Sequence, residues 1–371
     1  MILTLFLTFG SSLQTWKKDG ILDRELALYR EHSKLGNEVH IISYGDARDI
    51  EIAANYDFFT LHCNKHNLHP RIYTLLIPIL HRHVFNKSDI LKTNQLAGAH
   101  IARRCSNIYS KPLVTRQGYG HYEHRVEEHG TQSAKARDAK NYEAKSYAKA
   151  DLITFTTKAL ALRAIERHML DKELVHVVPN YVVERTWSPA YHCPETEDTM
   201  LKLAFYGRFS EQKNLEALIE ASSGLDVKLT LIGEGELEAD LRQKAKKLNT
   251  NCTFIGRQTQ EALKDILAEN DFFILPSHYE GHPKSLIETM AFGMPIVAAN
   301  SPGIKEQVVD GQTGILFETN VEAIRETLVK LTKMSIGERM ILGANAREWS
   351  LSNFSVQSVS QQENNLYAGL L

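Results

Sequence analysis

Two carboxylates, Glu280 and Glu288, stand with seven residues between them in the stretch HYEGHPKSLIETMAFGMP, residues 278 to 295. A carboxylate accepts paired hydrogen bonds from a diol, so one can take a ribose and the other sugar hydroxyls. Pro283 suits a first helical position, which needs no N–H, and Gly293 with Pro295 stops the helix. Glu288 then lies about a turn and a half into that helix. The run SLIETMAF is too apolar to be solvated, so Glu288 points inward, where a carboxylate needs partners. The free N–H groups from His282 to Ser285, around Gly281, Pro283 and Lys284, open onto the same space and favour phosphate charge. The plainer reading makes Glu280 a cap and Glu288 part of a solvated face.

A second stretch, YGRFSEQKNLEALIEA (206–221), sets Gly207 and Arg208 at a strand exit and Lys213 at a helix start. Two cations beside a helix N-terminus suit a diphosphate. In isolation they would be two solvated surface charges. The turn FIGRQTQEAL (254–263) presents Gly256 and Arg257, whose backbone can meet a nucleobase, whereas the glycines of the Gly233-Glu234-Gly235 turn serve geometry and Glu234 has no assigned chemistry.

These groups need a scaffold that brings strand ends together. Short apolar runs alternate with amphipathic helical stretches along the chain, the pattern of parallel sheets covered by helices. ILTLFLTF, EVHIIS, YDFFTLH, DILKT, KPLVT, DLITFT and VHVV are strand candidates, with helices predicted at 71–84, 95–104, 134–149 and 157–170. The proline-rich segment 179–200 reads as a linker. A second series then begins with LKLAFYG, VKLTLIG, CTFIG, DFFILP and IVAA, with helices from 212, 236, 260 and 284. The expected class is α/β, with two doubly wound Rossmann-like domains facing across a cleft. The expected divisions are 1–185, 186–345 and a helical segment 346–371 packing back on the first domain. Ligands of such sheets settle beyond the carboxyl ends of the strands.

A chain of 371 residues exceeds what one hydrophobic core usually holds. Its 43 basic and 45 acidic residues, a formal net charge of -2, give no global field to recruit nucleic acid, so partner choice must be local. Cys63, Cys105, Cys193 and Cys252 are scattered without a C-x-x-C pair, which fits a reducing cytoplasm better than a disulfide framework or a zinc site. MILTLFLTFG lacks a basic leader and is too short to span a bilayer, so it reads as a buried first strand.

Taken together, Gly207-Arg208, Lys213, Gly233-Glu234-Gly235, Glu280 to Glu288, GMPIVAA and SPGIKEQVVDGQTGILF resemble the nucleotide-sugar half of glycosyltransferase family 4, retaining enzymes of GT-B architecture. The likeness runs in order from about residue 200 to 317. It implies that Arg208 and Lys213 hold a donor diphosphate, Glu288 the ribose, and Glu280 with the Gly281–Lys284 backbone the transferred sugar. Catalysis would then fall to Glu280, Arg208 and Lys213, without a metal or other cofactor. The co-substrate would be a UDP- or GDP-linked sugar, and the acceptor a surface glycan or lipid-linked saccharide. The implied setting is cytoplasmic, with peripheral contact at the inner membrane face and no nucleic acid.

The first half resembles the family more loosely. Gly10 and Ser11, in FGSSLQTW, are acceptor-side or phosphate candidates; Lys92 or Asn94 would line the cleft; Arg116 and His121 follow the strand where the family often has a histidine. Val183 stands where an acid is usual, and no role is transferred to it. His62, His66 and His69 tempt a metal reading that lacks further ligands. Residues 121–149 read as a solvated charged helix, although Arg103, Arg104, Lys135, Arg137 and Lys140 could touch lipid phosphates. Two rival readings are a non-catalytic nucleotide-sugar or glycan binder, and glycoside cleavage by Glu280 and Glu288.

Overall fold

The computed structural model describes residues 1–188, 190–191 and 200–371. Cys193, with much of the segment read as a linker, lies outside the described residues. Two compact units divide the chain: Met1–Pro179 with Val356–Leu371, and Asn180–Ser355. The divisions thus fall at 179/180 and 355/356, beside the 185/186 and 345/346 expected from sequence.

In the first unit the strands are β1 (Ile2–Phe6), β2 (Glu38–Ile42), β3 (Thr60–His62), β4 (Ile90–Thr93), β5 (Leu113–Gln117), β6 (Leu152–Phe155) and β7 (Val175–Val177). They form one parallel sheet in the order β3-β2-β1-β4-β5-β6-β7. The second unit holds β8 (Leu201–Tyr206), β9 (Val227–Ile232), β10 (Cys252–Ile255), β11 (Phe272–Leu275), β12 (Ile296–Ala299) and β13 (Ile315–Phe317), again all parallel, in the order β10-β9-β8-β11-β12-β13. Strands β11 and β12 are wholly apolar runs of Phe, Ile, Leu, Val and Ala, and β8 and β9 are largely so, with Lys202, Lys228 and Thr230 between their apolar residues, as a sheet covered on both faces requires. In each sheet the strand order reverses beside the first strand, β1 against β4 and β8 against β11. Helices leave such neighbours toward opposite faces, which opens a crevice at their carboxyl ends.

The described part of the supposed linker is not loose. Val182, Trp187 and Tyr191 are buried in the second unit's core, and Tyr191 donates from its N–H to Phe292 O at 2.7 Å and from its hydroxyl to Asn270 O at 2.7 Å. Aromatic area outweighed the prolines in deciding this segment.

The charged stretch 121–149 also departs from expectation. It forms helices His121–His129 and Ala134–Tyr147, and the second buries Ala136, Ala139, Glu143, Ser146 and Tyr147. Glu143 is fully buried, and its carboxylate accepts from Tyr122 N at 2.9 Å, Gln117 Nε2 at 3.0 Å and Arg167 Nη1 at 3.2 Å, with His168 Nε2 at 3.0 Å. Burial alone would raise its pKa, but His168, the Tyr122 N–H and Arg167 outweigh that and hold it below the usual range.

Candidate functional site

The sequence candidates of the second unit other than Gly256 and Arg257, which follow β10, gather where β8 and β11 end. Pairing of Phe272 with Leu203 and Phe273 with Ala204 brings the two strand exits to one level. The loop after β8 is then pinned to the exit of β11. Asn214, in the left-handed region at φ 53°, donates from Nδ2 to Pro276 O at 3.2 Å and Thr319 O at 2.8 Å, and His278 N donates to Gln212 O at 3.0 Å.

Two glycines let that loop close. A Cβ on Gly233 would lie 1.9 Å from Gly207 O, and one on Gly235 would lie 2.1 Å from Phe209 O. The Gly-Glu-Gly turn therefore works by backbone approach, as expected. Glu234 within it is engaged all the same, since its Oε1 accepts from Arg257 N at 3.4 Å, beside Gly256, in an exposed turn.

Glu280 sits on the loop after β11, 8 % exposed. Its Oε1 is 2.5 Å from Lys213 Nζ, and Oε2 accepts from Gln212 Nε2 at 3.2 Å. Lys213 is therefore not a free cation here, because a carboxylate neutralises it. Arg208 differs: it is exposed and has no hydrogen bond or ion pair among the described residues. Gln212, which also donates to Tyr279 O at 2.8 Å, escaped the sequence reading. Adjacency to Lys213 in a short loop was the only signal for it.

Helix Lys284–Phe292 begins at the same opening. Pro283 is its N-cap at φ -66°, one position before the expected one, and no side chain caps the first turn. Proline fits because its φ is already helical and the position needs no donor. The residues before it are close-packed: His282 rests edge-on against Phe354 with ring centres 4.9 Å apart, and its carbonyl accepts from Asn180 Nδ2 at 2.6 Å. Gly281 and Ser285 are half-buried, as is Lys284, whose ammonium lies 5.4 Å from the Tyr181 ring centre. Leu286, Ile287, Met290 and Ala291 have no exposed surface, and each large apolar side chain so buried contributes about 1.5–3 kcal/mol. That burial fixes the helix and forces Glu288 inside at 3 % exposure, where Tyr206 Oη lies 2.9 Å from its Oε2 and 3.0 Å from Ser285 O. Gly293, at φ 88°, ends the helix in the left-handed region.

The loop bearing Glu280 is braced from below. Glu280 N donates to Pro302 O at 2.9 Å, and Ser301 Oγ donates to Ser277 O at 2.8 Å. A Cβ on Gly303 would fall 2.1 Å from Glu280 O, and this glycine sits at φ 82°. Gly303→Ala is accordingly expected to cost about 2–3 kcal/mol through strain and displacement of this loop. Chemical denaturation would read the loss, and an unchanged midpoint would contradict it.

The first-unit candidates are less coherent. Lys92 does not line an opening: it is fully buried, with Nζ 2.6 Å from both carboxylate oxygens of Glu363. It lies within β4, so its side chain enters a sheet face covered by the last helix. Asn94, just past β4, is half-buried and donates from Nδ2 to Thr8 Oγ1 at 3.3 Å. Gly10, at φ 79°, and Ser11 do form a turn after β1. The helix after them is not open to phosphate, because Asp49 already accepts from Leu13 N at 3.2 Å and Gln14 N at 3.0 Å. Arg116 is buried, with its N–H on Thr93 Oγ1 at 3.0 Å, and Gln117 is committed to Glu143. His121 starts its helix half-buried against Tyr142, with its pKa lowered chiefly by burial.

Glu143 was missed, yet Ala136, Ala139, Glu143 and Ser146 follow a helical stripe that marks it as inward-facing. His62 Nε2 lies 3.0 Å from His40 Nδ1, with burial lowering its pKa to about 3, while His66 and His69 are exposed. Among the described residues no group of three or more His, Cys, Asp or Glu is placed to hold a metal ion.

Comparison with known proteins agrees with this architecture. The profile for Glycosyltransferase Family 4 matches residues 26–184 and that for Glycosyl transferases group 1 matches residues 194–349. An uncharacterised glycosyltransferase of Methanocaldococcus jannaschii is 30% identical over 220 residues, 56% of this chain and 56% of its own. The UDP-Gal:alpha-D-GlcNAc-diphosphoundecaprenol alpha-1,3-galactosyltransferase of Escherichia coli is 25% identical over 240 residues, 58% of this chain and 61% of its own. The matched stretch thus spans only part of the curated relatives' length. Anabaena HepE, solved with UDP, superposes over 100% of both chains with a TM-score of 0.74 at 17% identity, a likeness of fold. With both halves matched in order and the two-sheet fold shared, the chain belongs to glycosyltransferase family 4 and has the GT-B fold.

Proposed function

We propose that this protein transfers a sugar from a nucleoside-diphosphate sugar to a hydroxyl of a glycan or lipid-linked acceptor, with retention at the anomeric carbon. The supporting observation is the meeting of exposed Arg208, the Lys213–Glu280 pair and the uncapped start of helix Lys284–Phe292 at one strand crevice. A diphosphate there would compete with Glu280 for Lys213. Glu280, once released, would be free to accept sugar hydroxyls, while Glu288, steadied by Tyr206, takes the ribose. As the bond from the anomeric carbon to the phosphate oxygen breaks, Arg208 and Lys213 face the growing negative charge on the leaving diphosphate. The acceptor hydroxyl attacks from the same side and its proton passes to that phosphate. HepE has been solved with UDP-glucose and the E. coli relative is named for UDP-Gal, so a UDP-linked hexose is the first donor to test.

The cations beside the helix start, which glycoside cleavage does not require, favour transfer. A thermal-shift screen with UDP, GDP, ADP and their sugars is the direct test, since a ligand of the native state alone raises its melting temperature. At least one nucleotide should raise it. Glu288→Ala should weaken that nucleotide by about tenfold or more, the value of hydrogen bonds to a charged group. A wild-type chain indifferent to every nucleotide would refute the reading.

A further inference from the structure

The two oxygens of the Glu280 carboxylate have different partners. Oε1 lies 2.5 Å from Lys213 Nζ, and Oε2 accepts from Gln212 Nε2 at 3.2 Å. Two neighbours in sequence thus divide one buried carboxylate between a charge and a neutral amide. They differ in how easily they are drawn away. A lysine is a point charge on a flexible stem, and a stronger anion within reach competes for it. The Gln212 amide carries no charge, so a diphosphate exerts no comparable pull on it.

Gln212 is also held where it stands. Its Nε2 donates a second time, to Tyr279 O at 2.8 Å, and its main-chain carbonyl accepts from His278 N at 3.0 Å. The amide cannot be turned end for end, because its oxygen would then face a carbonyl and a carboxylate, neither of which donates. His278, Tyr279 and Glu280 are therefore all tied to this one residue. The main chain at Glu280 is fixed from the other side, where its N–H donates to Pro302 O at 2.9 Å and a Cβ on Gly303 would fall 2.1 Å from its carbonyl oxygen. With that backbone held, only the side-chain torsions of Glu280 are left to move, and Gln212 restrains them.

A carboxylate whose side chain is 6% exposed is costly to leave without partners. When Lys213 turns to a diphosphate, Glu280 loses the ammonium that neutralises it and keeps the Gln212 N–H. The oxygen set free is Oε1, to which a hydroxyl of the donor's sugar can donate. Oε2 stays on Gln212 and fixes the direction in which Oε1 faces.

We propose that Gln212 is a positioning residue for the donor's sugar: it retains Glu280 Oε2 while Lys213 leaves Oε1 for the diphosphate, so that Oε1 is aimed at a sugar hydroxyl. The inference rests on the sugar-transfer reading above and adds to it a residue that acts through Glu280.

The test compares a bare nucleoside diphosphate with its sugar-linked form, UDP against UDP-galactose and GDP against GDP-mannose, by titration calorimetry on the full chain. Gln212→Met keeps the length of the side chain and removes the amide. Affinity for the bare diphosphate should stay near the wild-type value, while the sugar-linked form weakens relative to it by at least about tenfold, the worth of a hydrogen bond to a charged group. Gln212→Asn, which draws the amide one methylene back from Oε2, should do the same. In a Glu280→Ala chain the Gln212→Met change should bring no further loss, since no carboxylate remains to be positioned. The proposal is overturned if the sugar-linked affinity is unaltered in both variants, or if both ligand forms lose affinity equally, which would make Gln212 a support of the whole loop. A further loss in the Glu280→Ala chain overturns it as well. Failure of the transfer reading itself looks different: the wild-type chain then binds neither diphosphate, and this proposal falls with it.

Discussion

Lys213→Ala is expected to slow sugar transfer by about 10²–10³-fold, the usual consequence of removing one charge-stabilising group from a transition state. Two effects are mixed in that variant. Glu280 loses an ammonium 2.5 Å away while staying largely buried, so the fold should also lose about 1–3 kcal/mol. The double variant Lys213→Ala/Glu280→Gln separates them. Neutralising the stranded carboxylate should recover most of the stability and none of the rate. Steady-state kinetics beside urea denaturation would check both, and a double variant that regained transfer would remove Lys213 from the proposed chemistry.

The second large effect is on folding. Lys92→Met should destabilise the first unit by about 3–5 kcal/mol, the cost of leaving a buried charge without its partner. Glu363, on helix Val356–Ala368, holds Lys92 through both oxygens and meets His32 Nε2 at 3.0 Å, with Tyr29 and Tyr367 ring centres 5.3 Å and 5.7 Å from the ammonium. Burial acting alone would raise the Glu363 pKa, but the Lys92 charge and the His32 hydrogen bond hold it far below the carboxylate range. A carboxyl depressed on folding contributes stability above its unfolded value, about 4.3, and loses it as pH falls toward the folded one. Lys92→Met should therefore flatten the acid limb of the stability curve, whereas Lys92→Met/Glu363→Gln should recover most of the midpoint. A single variant as stable as the parent would show that this cluster does not secure the last helix.

Much of the second unit could be read directly from its residues. β11 and β12 announce themselves as uninterrupted apolar runs, β8 and β9 as apolar runs broken by Lys202, Lys228 and Thr230, and Gly207, Gly233 and Gly293 mark turns that close backbone approach or a positive φ requires. Glu288 was legible as inward because seven of the nine residues in its helix are buried, leaving a carboxylate nowhere to be solvated. Lys92 misled for the opposite reason. A lysine near a strand end suggests a ligand contact, and only the return of the chain 271 residues later supplies the carboxylate that lets it be buried. Trp187 and Tyr191 misled in the same way, because local proline content says nothing about a core assembled elsewhere in the chain.

What the amino-acid order determined alone was whatever depends on near neighbours: the period of each strand and helix, the glycine turns, and the chemical types of the groups at strand exits. Tertiary structure decided their partners. It set Glu280 against Lys213, Tyr206 against Glu288, and Asp49 over the helix end that follows Gly10 and Ser11. A side chain's propensity acts through its own backbone, but charge pairing and burial act through space, between residues whose separation along the chain carries no trace of the contact.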